Sequence, residues 1–297
     1  MKRKLSMAKL GLLLGAVCLA LVPGLSAQSA NVTVFATGLN NPRGLKFGPK
    51  GVNLFVAEGG TGGTRSTIGK CEQAAPGPGP YTGGFTARIS KISPQGVRTT
   101  VADHLPSSQT SPAIGSLVSG VADVAFIGDT LYALKGGAGC SHGLLNTANG
   151  VLIVNPDGSW KEIANLSAFQ KAHPVKHPEP DDFEPDGTWY SMVVSGDAFY
   201  AIEPNHGELD KIDKSGKITR LVDISASQGH IVPTSIIELL GGIFLISNLD
   251  TFPIVPGSSS LFVATKTGSF VKLVSGFTAV LGLAARNGKI YVLEMSN

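Results

Sequence analysis

The chain has 297 residues, of which 42% are hydrophobic and 15% are charged, and its formal net charge is +3. The hydrophobic content excludes an intrinsically disordered chain, and the charged fraction lies well below the usual value of about 25%. No cluster of Lys and Arg alternates with aromatic residues, so we expect no nucleic-acid partner.

Residues 1–27 predict a secretory signal peptide. A basic stretch at residues 2–4 precedes an apolar run at residues 10–21, and breakers and small residues follow. The apolar run is short for a helix that crosses a bilayer, although a membrane anchor is the alternative. We therefore expect residues 28–297 to be secreted, extracellular or periplasmic, with no membrane span after the signal is removed.

Two cysteines remain after removal of the signal, Cys71 and Cys140, and each lies in a glycine-rich stretch. In an oxidising compartment two cysteines predict one disulfide bond. Two separate buried thiols are the alternative. A zinc site needs more ligands than these two thiols and the neighbouring His142.

One hairpin pattern recurs five times along the chain. An apolar strand turns at a pair such as Gly-Asp, Gly-Gly or Asn-Gly, residues that tolerate the positive φ of tight turns. A second apolar strand follows the turn. These second strands contain Leu54, Leu131, Phe199, Phe244 and Ile290.

A second hairpin follows each of the first four copies, with its turn at Pro-x-Gly or Lys-x-Gly. These hairpins occupy residues 88–101, 150–164, 208–222 and 260–274. Units of four strands at a spacing of about 45 residues, as from Phe199 to Phe244, are typical of propeller blades.

The sequence therefore predicts an all-β fold, a β-propeller of four-stranded blades over residues 28–297. Residues 32–36 predict an outer strand that completes a terminal blade. Because the fifth unit stops after its second strand, we expect an incomplete six-bladed propeller, truncated at its C-terminus.

Two insertions lengthen the units, at residues 59–86 and 165–186. Within the second, residues 167–171 predict one helical turn. Loops of this length in a compact domain are usually functional or disordered. The acidic residues 179–186 predict either a Ca²⁺ site, because hard cations prefer carboxylate oxygens, or a solvated loop.

Several stretches resemble known propeller families. Residues 39–45 and 57–60 resemble a blade of the NHL and gluconolactonase type. The stretches that resemble the ScyD/ScyE family are residues 80–89, 137–143, 185–190 and 229–234. This second resemblance implies an exported propeller and carries no established catalytic residues.

The polar residues that end the second strands are candidate metal ligands. The gluconolactonase resemblance implies Ca²⁺ or another divalent cation held by such oxygen ligands near the central channel. The candidates are Glu58, Glu203, Asn248 and Glu294. The alternative is that these side chains bond to turn N–H groups within their own blades.

A second set of candidates forms a predicted ligand-binding rim. His142, His206 and His230 each lie beside a glycine, and with Asp123 they are expected at one rim. We expect a scaffold that binds a small molecule or a protein at its loops. A metal-dependent hydrolase or lactonase that uses the channel carboxylates is the alternative.

Overall fold

The computed structural model of the protein describes residues 32–295, so the predicted signal peptide at residues 1–27 lies outside the described residues. The chain divides into two units, Met1–Phe35 and Ala36–Asn297. Within residues 32–295 no helix is long and apolar enough to cross a membrane.

The predicted outer strand at residues 32–36 is wrong. Residues 32–39 have no regular secondary structure. The side chains of Val34 and Phe35 are 69% and 57% exposed. An apolar pattern favours a strand where packing covers one of its faces, and these exposed side chains lack that burial.

Five antiparallel sheets follow one another along the described chain. Sheet 1 contains β1 (Pro42–Phe47), β2 (Leu54–Glu58), β3 (Thr82–Ile92), β4 (Arg98–Gln109) and the short β5 (Val118–Ser119). Sheet 2 contains β6 (Val121–Ile127), β7 (Thr130–Lys135), β8 (Gly150–Val154) and β9 (Trp160–Asn165). Sheet 3 contains β10 (Ser191–Ser195), β11 (Ala198–Glu203), β12 (Glu208–Asp213) and β13 (Ile218–Asp223).

Sheets 4 and 5 complete the described strands. Sheet 4 contains β14 (Pro233–Leu240), β15 (Ile243–Asn248), β16 (Ser259–Thr265) and β17 (Phe270–Phe277). In the described part of the chain sheet 5 contains β18 (Val280–Arg286) and β19 (Lys289–Glu294). The helices α1 (Leu166–Ala172) and α2 (Ile224–Gln228) follow β9 and β13.

Tight turns join the first two strands of the later sheets, as predicted. Gly241 and Gly242 have φ values of 58° and 87°, and Asn287 and Gly288 have values of 52° and 70°. Positive φ at both central residues produces a twist that matches the flanking strands.

The insertions carry more regular structure than the sequence predicts. The helical turn predicted at residues 167–171 is confirmed and extends to the whole of α1, which Asn165 caps by accepting a hydrogen bond from Ala168 N at 2.8 Å. The first insertion ends at residue 81, because β3 already begins at Thr82. The short helix α2 and strand β5 have no counterpart in the sequence predictions.

The sheets pack face to face, and each innermost strand (β1, β6, β10, β14, β18) contacts the next. In β7, Tyr132 and Leu134 join the core between sheets 2 and 3. Leu131 and Ala133, on the other face of β7, join the core between sheets 1 and 2. Burial of a large apolar side chain stabilises the fold by about 1.5–3 kcal/mol, so each sheet depends on both neighbours.

This arrangement confirms the predicted β-propeller of four-stranded blades. The strands that contain Leu54, Leu131, Phe199, Phe244 and Ile290 lie in five separate sheets. Among the described residues no comparable packing joins β18 to β1.

Candidate ligand-binding site

One end of the blades carries the long connections, and we call this end the loop face. Because strands alternate in direction, the connections from second to third strands and those between successive sheets lie at the same end. Three insertions dominate the loop face, at residues 59–81, 136–149 and 166–190.

Covalent and backbone bonds tie the three insertions together. The predicted disulfide is confirmed: Cys71 of the first insertion bonds to Cys140 of the second, with an S–S distance of 2.06 Å and a Cα–Cα distance of 6.3 Å. Ala75 N in the first insertion donates to Phe183 O in the third at 3.0 Å. The loop face is therefore a connected structure.

The acidic segment at residues 179–186 is partly buried. Glu184 and Asp186 are each 4% exposed, so this half of the segment is not a solvated loop. Glu184 accepts hydrogen bonds from the hydroxyl groups of Tyr81 and Thr188. Through Tyr81 the carboxylate links the third insertion to the first.

Asp186 links the third insertion to the second. It accepts hydrogen bonds from the backbone N–H and the hydroxyl of Ser141, each at 2.7 Å. Lys171 Nζ in α1 lies 2.5 Å from its other oxygen. Burial raises the pKa of Asp186, but the bonds from Lys171 and Ser141 outweigh it, and the pKa is lowered.

His142 is fully buried against this segment. Its Nδ1 lies 2.8 Å from Ser108 Oγ, and its Nε2 lies 2.9 Å from Gly187 O. The Nε2 atom also lies 3.6 Å from Glu184 Oε2.

The other two predicted histidines contact the same segment. His206 Nε2 donates to Glu184 O at 2.8 Å, and His230 Nε2 lies 3.1 Å from Asp182 Oδ2. The structure thus brings His142, His206 and His230 to residues 182–187.

Asp123, the fourth predicted rim residue, shares no hydrogen-bond partner with the three histidines among the residues that the structure describes. It accepts hydrogen bonds from the backbone of Val124 and Met192, each at 2.9 Å, and from the Ser191 hydroxyl at 3.2 Å. Asp123 therefore ties the innermost strand of sheet 2 to that of sheet 3. Burial raises the pKa of this carboxyl group.

The four predicted metal ligands are held in four separate hydrogen-bond networks. Glu58 bonds to Arg88 and Ser90, and Glu203 accepts from the N–H groups of Thr188 and His206. Asn248 bonds to the backbone of Ile231 and Ser260. Glu294 accepts from the N–H of Thr278. No three His, Cys, Asp or Glu side chains within residues 32–295 are grouped to hold a metal ion. The structure does not bring the four together, and they do not fit one cation.

Burial shifts the pKa values of several groups under the loop face. It raises the pKa of Glu203 to about 7, against the opposing effect of the N–H groups of Thr188 and His206. It also raises the pKa of Glu184 and of Tyr81, which share a hydrogen bond. Burial lowers the pKa of His206, which favours its neutral form.

A cavity of about 260 Å³ opens beside this buried polar cluster. Its lining residues are Glu72, Gln170, Lys171, Pro174, Val175, Pro178, Phe183, Pro185 and His206. An apolar wall with a few polar groups is the usual composition of a small-molecule site.

The innermost strands enclose much less space. A cavity of about 10 Å³ lies beside Arg43, which donates to the Tyr190 hydroxyl at 3.1 Å and lies 5.3 Å from its ring centroid. This volume is close to the minimum for one water molecule. Of these two cavities, the one at the insertions has room for a small molecule, which agrees with the loop-face binding expected from the sequence.

Sequence reasoning missed Tyr81, Ser108, Ser141 and Thr188. The acidic segment and the histidines were separate candidates. Because a carboxylate can accept a hydrogen bond from an imidazole N–H, the presence of both was a signal that they meet. The partners lie far apart in sequence, and Tyr81 and Glu184 are separated by 103 positions.

No protein-family model matches the chain, and no curated protein matches it. Among solved structures, a protein of unknown function from Bacteroides thetaiotaomicron has a TM-score of 0.53 at 12% identity, over 86% of this chain and 53% of that chain. A chain of a nidogen/laminin complex has a TM-score of 0.50 at 9% identity, over 85% and 72%.

Streptogramin B lyase has a TM-score of 0.47 at 13% identity, over 84% of this chain and 61% of that chain. This chain thus spans 61% of the lyase and 53% of the Bacteroides protein. Likeness at these identities shows the fold alone.

Proposed function

We propose that this chain is an exported β-propeller of the ScyD/ScyE type and that it binds a small molecule at its loop face. The observation that carries the binding function is the cavity of about 260 Å³, which is lined by the first and third insertions and by His206. A site that is held open before the ligand arrives loses less entropy on binding.

The bonds among the insertions support a preformed site. The Cys71–Cys140 disulfide joins the first two insertions. The Tyr81–Glu184 hydrogen bond joins the first to the third, and both of these residues are buried. These two bonds therefore hold the first insertion in place against the second and third insertions.

Export is supported by two features of the chain. Residues 1–27 have the pattern of a secretory signal. The disulfide is of a kind that persists in oxidising compartments. Of the stretches with the family resemblance, residues 185–190 include Pro185, which lines the cavity.

A ligand screen on the exported protein tests the proposal. We would produce the full chain with its own N-terminus, and mass spectrometry should find Gln28 as the first residue of the secreted form. The protein is then screened by thermal shift against a library of small metabolites, since a ligand that binds only the folded state raises the Tm.

A cavity-filling variant locates the binding. Val175 is 5% exposed and lines the cavity, so V175W should abolish the thermal shifts. Val97, 60% exposed in the turn between β3 and β4, provides the matched control V97W, which should retain them. A library without hits, or hits that survive V175W, would contradict binding at this site.

A further inference from the structure

The charged groups of the cavity wall provide no strong attraction for a charged ligand. Lys171 lines the cavity, but its ammonium group already pairs with Asp186 at 2.5 Å. Glu72 also lines it and is exposed to solvent, where its charge is screened. The remaining polar lining residues are uncharged: His206, in its neutral form, and Gln170.

His206 presents an acceptor. Glu184 O can only accept, so His206 Nε2 must carry the proton of their 2.8 Å hydrogen bond. In the neutral ring Nδ1 then has a free lone pair, and burial favours this neutral ring by lowering the pKa. Among residues 32–295 no protein group bonds to this Nδ1 atom.

Gln170 lines the cavity but offers no accessible acceptor to it. Its Nε2 donates to Glu208 Oε1 at 2.9 Å, and Glu208 also pairs with Arg220. This bond fixes the orientation of the amide. Its Oε1 is buried and has no hydrogen-bond partner within the described chain. It packs against Gly187, so a ligand in the cavity does not reach it.

The rest of the wall is apolar and flat. Phe183 lies against the His206 ring with centroids 4.9 Å apart. Pro174, Pro178 and Pro185 add three more rigid rings to the lining. At about 30 Å³ per water the volume of about 260 Å³ equals about nine waters, the size of a ligand with one or two rings.

We propose that the cavity takes an uncharged ligand with a one- or two-ring body and a hydroxyl group, and that His206 Nδ1 accepts the hydrogen bond from that hydroxyl. This inference rests on the proposed function and specifies its ligand. A phenol and a monosaccharide share this chemistry, because each presents a hydroxyl donor on a ring that stacks on Phe183 or a proline.

Binding measurements by calorimetry on the secreted protein test the inference. The probes are 4-methylphenol, p-xylene, which replaces the hydroxyl by a methyl group of similar size, and methyl β-D-glucoside. We expect one of the two hydroxyl-bearing probes to bind, and p-xylene to bind at least tenfold more weakly than 4-methylphenol if the phenol is the better fit.

Variants of His206 assign the acceptor. H206F should weaken the hydroxyl-bearing probe about tenfold and leave p-xylene unchanged. H206Q keeps an N–H donor for Glu184 O and an oxygen acceptor for the ligand, so it should restore most of the affinity. Circular dichroism and the Tm establish that each variant is folded before its affinity is measured.

Three outcomes would overturn the inference. They are equal measurable affinities for 4-methylphenol and p-xylene, an unchanged affinity of folded H206F for the hydroxyl-bearing probe that binds the wild type, and no binding of either hydroxyl-bearing probe. In each case library hits that are lost in V175W would still support small-molecule binding in the cavity. The two proposals therefore fail separately.

Discussion

Glu203 joins a β-strand to the loop face through its carboxyl group. Its oxygens accept the N–H groups of Thr188 at 2.8 Å and of His206 at 2.6 Å. Burial, assisted by the nearby carboxylates of Glu184 and Asp182, raises the pKa of Glu203 from its ordinary value of 4.5 to about 7. The folded protein therefore holds a proton that the unfolded chain releases at lower pH.

The first prediction concerns the pH dependence of stability. Between pH 4.5 and about 7 the native state binds this proton and the unfolded state does not, so the free energy of unfolding falls as the pH rises through this window. For Glu203 the total loss is on the order of 3 kcal/mol. Urea unfolding at several pH values should show this fall in the wild type.

The variant E203Q isolates the contribution of this side chain. A glutamine does not ionise, so the fall in unfolding free energy should be smaller in E203Q than in the wild type. Glu184, Asp123, Glu208 and Asp210, whose pKa values burial also raises, remain in both proteins. The difference between the two curves therefore reports Glu203 together with its interactions with neighbouring carboxyl groups. Parallel curves for the two proteins would show that Glu203 does not titrate in this window.

At the scale of the elements, burial on both faces distinguishes the middle strands from the last hairpin. In β11, Phe199 and Ala201 join the core between sheets 2 and 3. Ala198 and Tyr200 join the core between sheets 3 and 4. In β19, by contrast, Tyr291 is 55% exposed.

The second prediction compares aromatic truncations in these two strands. Phe199 is fully buried, so F199A should lower the free energy of unfolding by about 3–5 kcal/mol through lost burial and a cavity. Y291A should change it by about 0.5 kcal/mol or less, because the side chain is largely exposed. Urea denaturation measures both, and equal losses would contradict the strand burial described above.

At the scale of the whole molecule, the disulfide joins the insertions of two blades. Cys71 and Cys140 are 69 residues apart in sequence. A cross-link over such a distance removes much of the freedom of the unfolded chain, and a chain-entropy estimate for a loop of this length is about 4 kcal/mol.

The third prediction follows from this cross-link. The double variant C71S/C140S should lose about 2–4 kcal/mol of unfolding free energy and should bind the cavity ligands more weakly. Reducing agent should lower the free energy of unfolding of the wild type and leave that of the double variant unchanged. The double variant is therefore the control for the effect of the reducing agent. An unchanged stability in both tests would mean that the disulfide does not constrain the unfolded chain.

The repeated hairpins were predictable because their signals are local. Strand periodicity and turn pairs such as Asn287-Gly288 depend on neighbouring residues, so they appear in the sequence as they do in the structure. The same reasoning misplaced a strand at residues 32–36, because an apolar pattern does not reveal whether another surface covers it.

The candidate site was predictable only in pieces. His142, His206, His230 and the acidic residues 179–186 were each recognisable, but their convergence depends on how successive blades stack. Asp123 and the four predicted metal ligands instead bond elsewhere, and the cavity lies at the insertions.

The sequence by itself determined the strands, the turns and hence the blade as a repeating unit, since each arises from contacts between residues close along the chain. The tertiary structure alone decided which insertions meet, which carboxyl groups are buried and where space for a ligand remains. Those outcomes depend on packing between residues far apart in sequence, and short-range sequence patterns do not reveal which distant residues pack together.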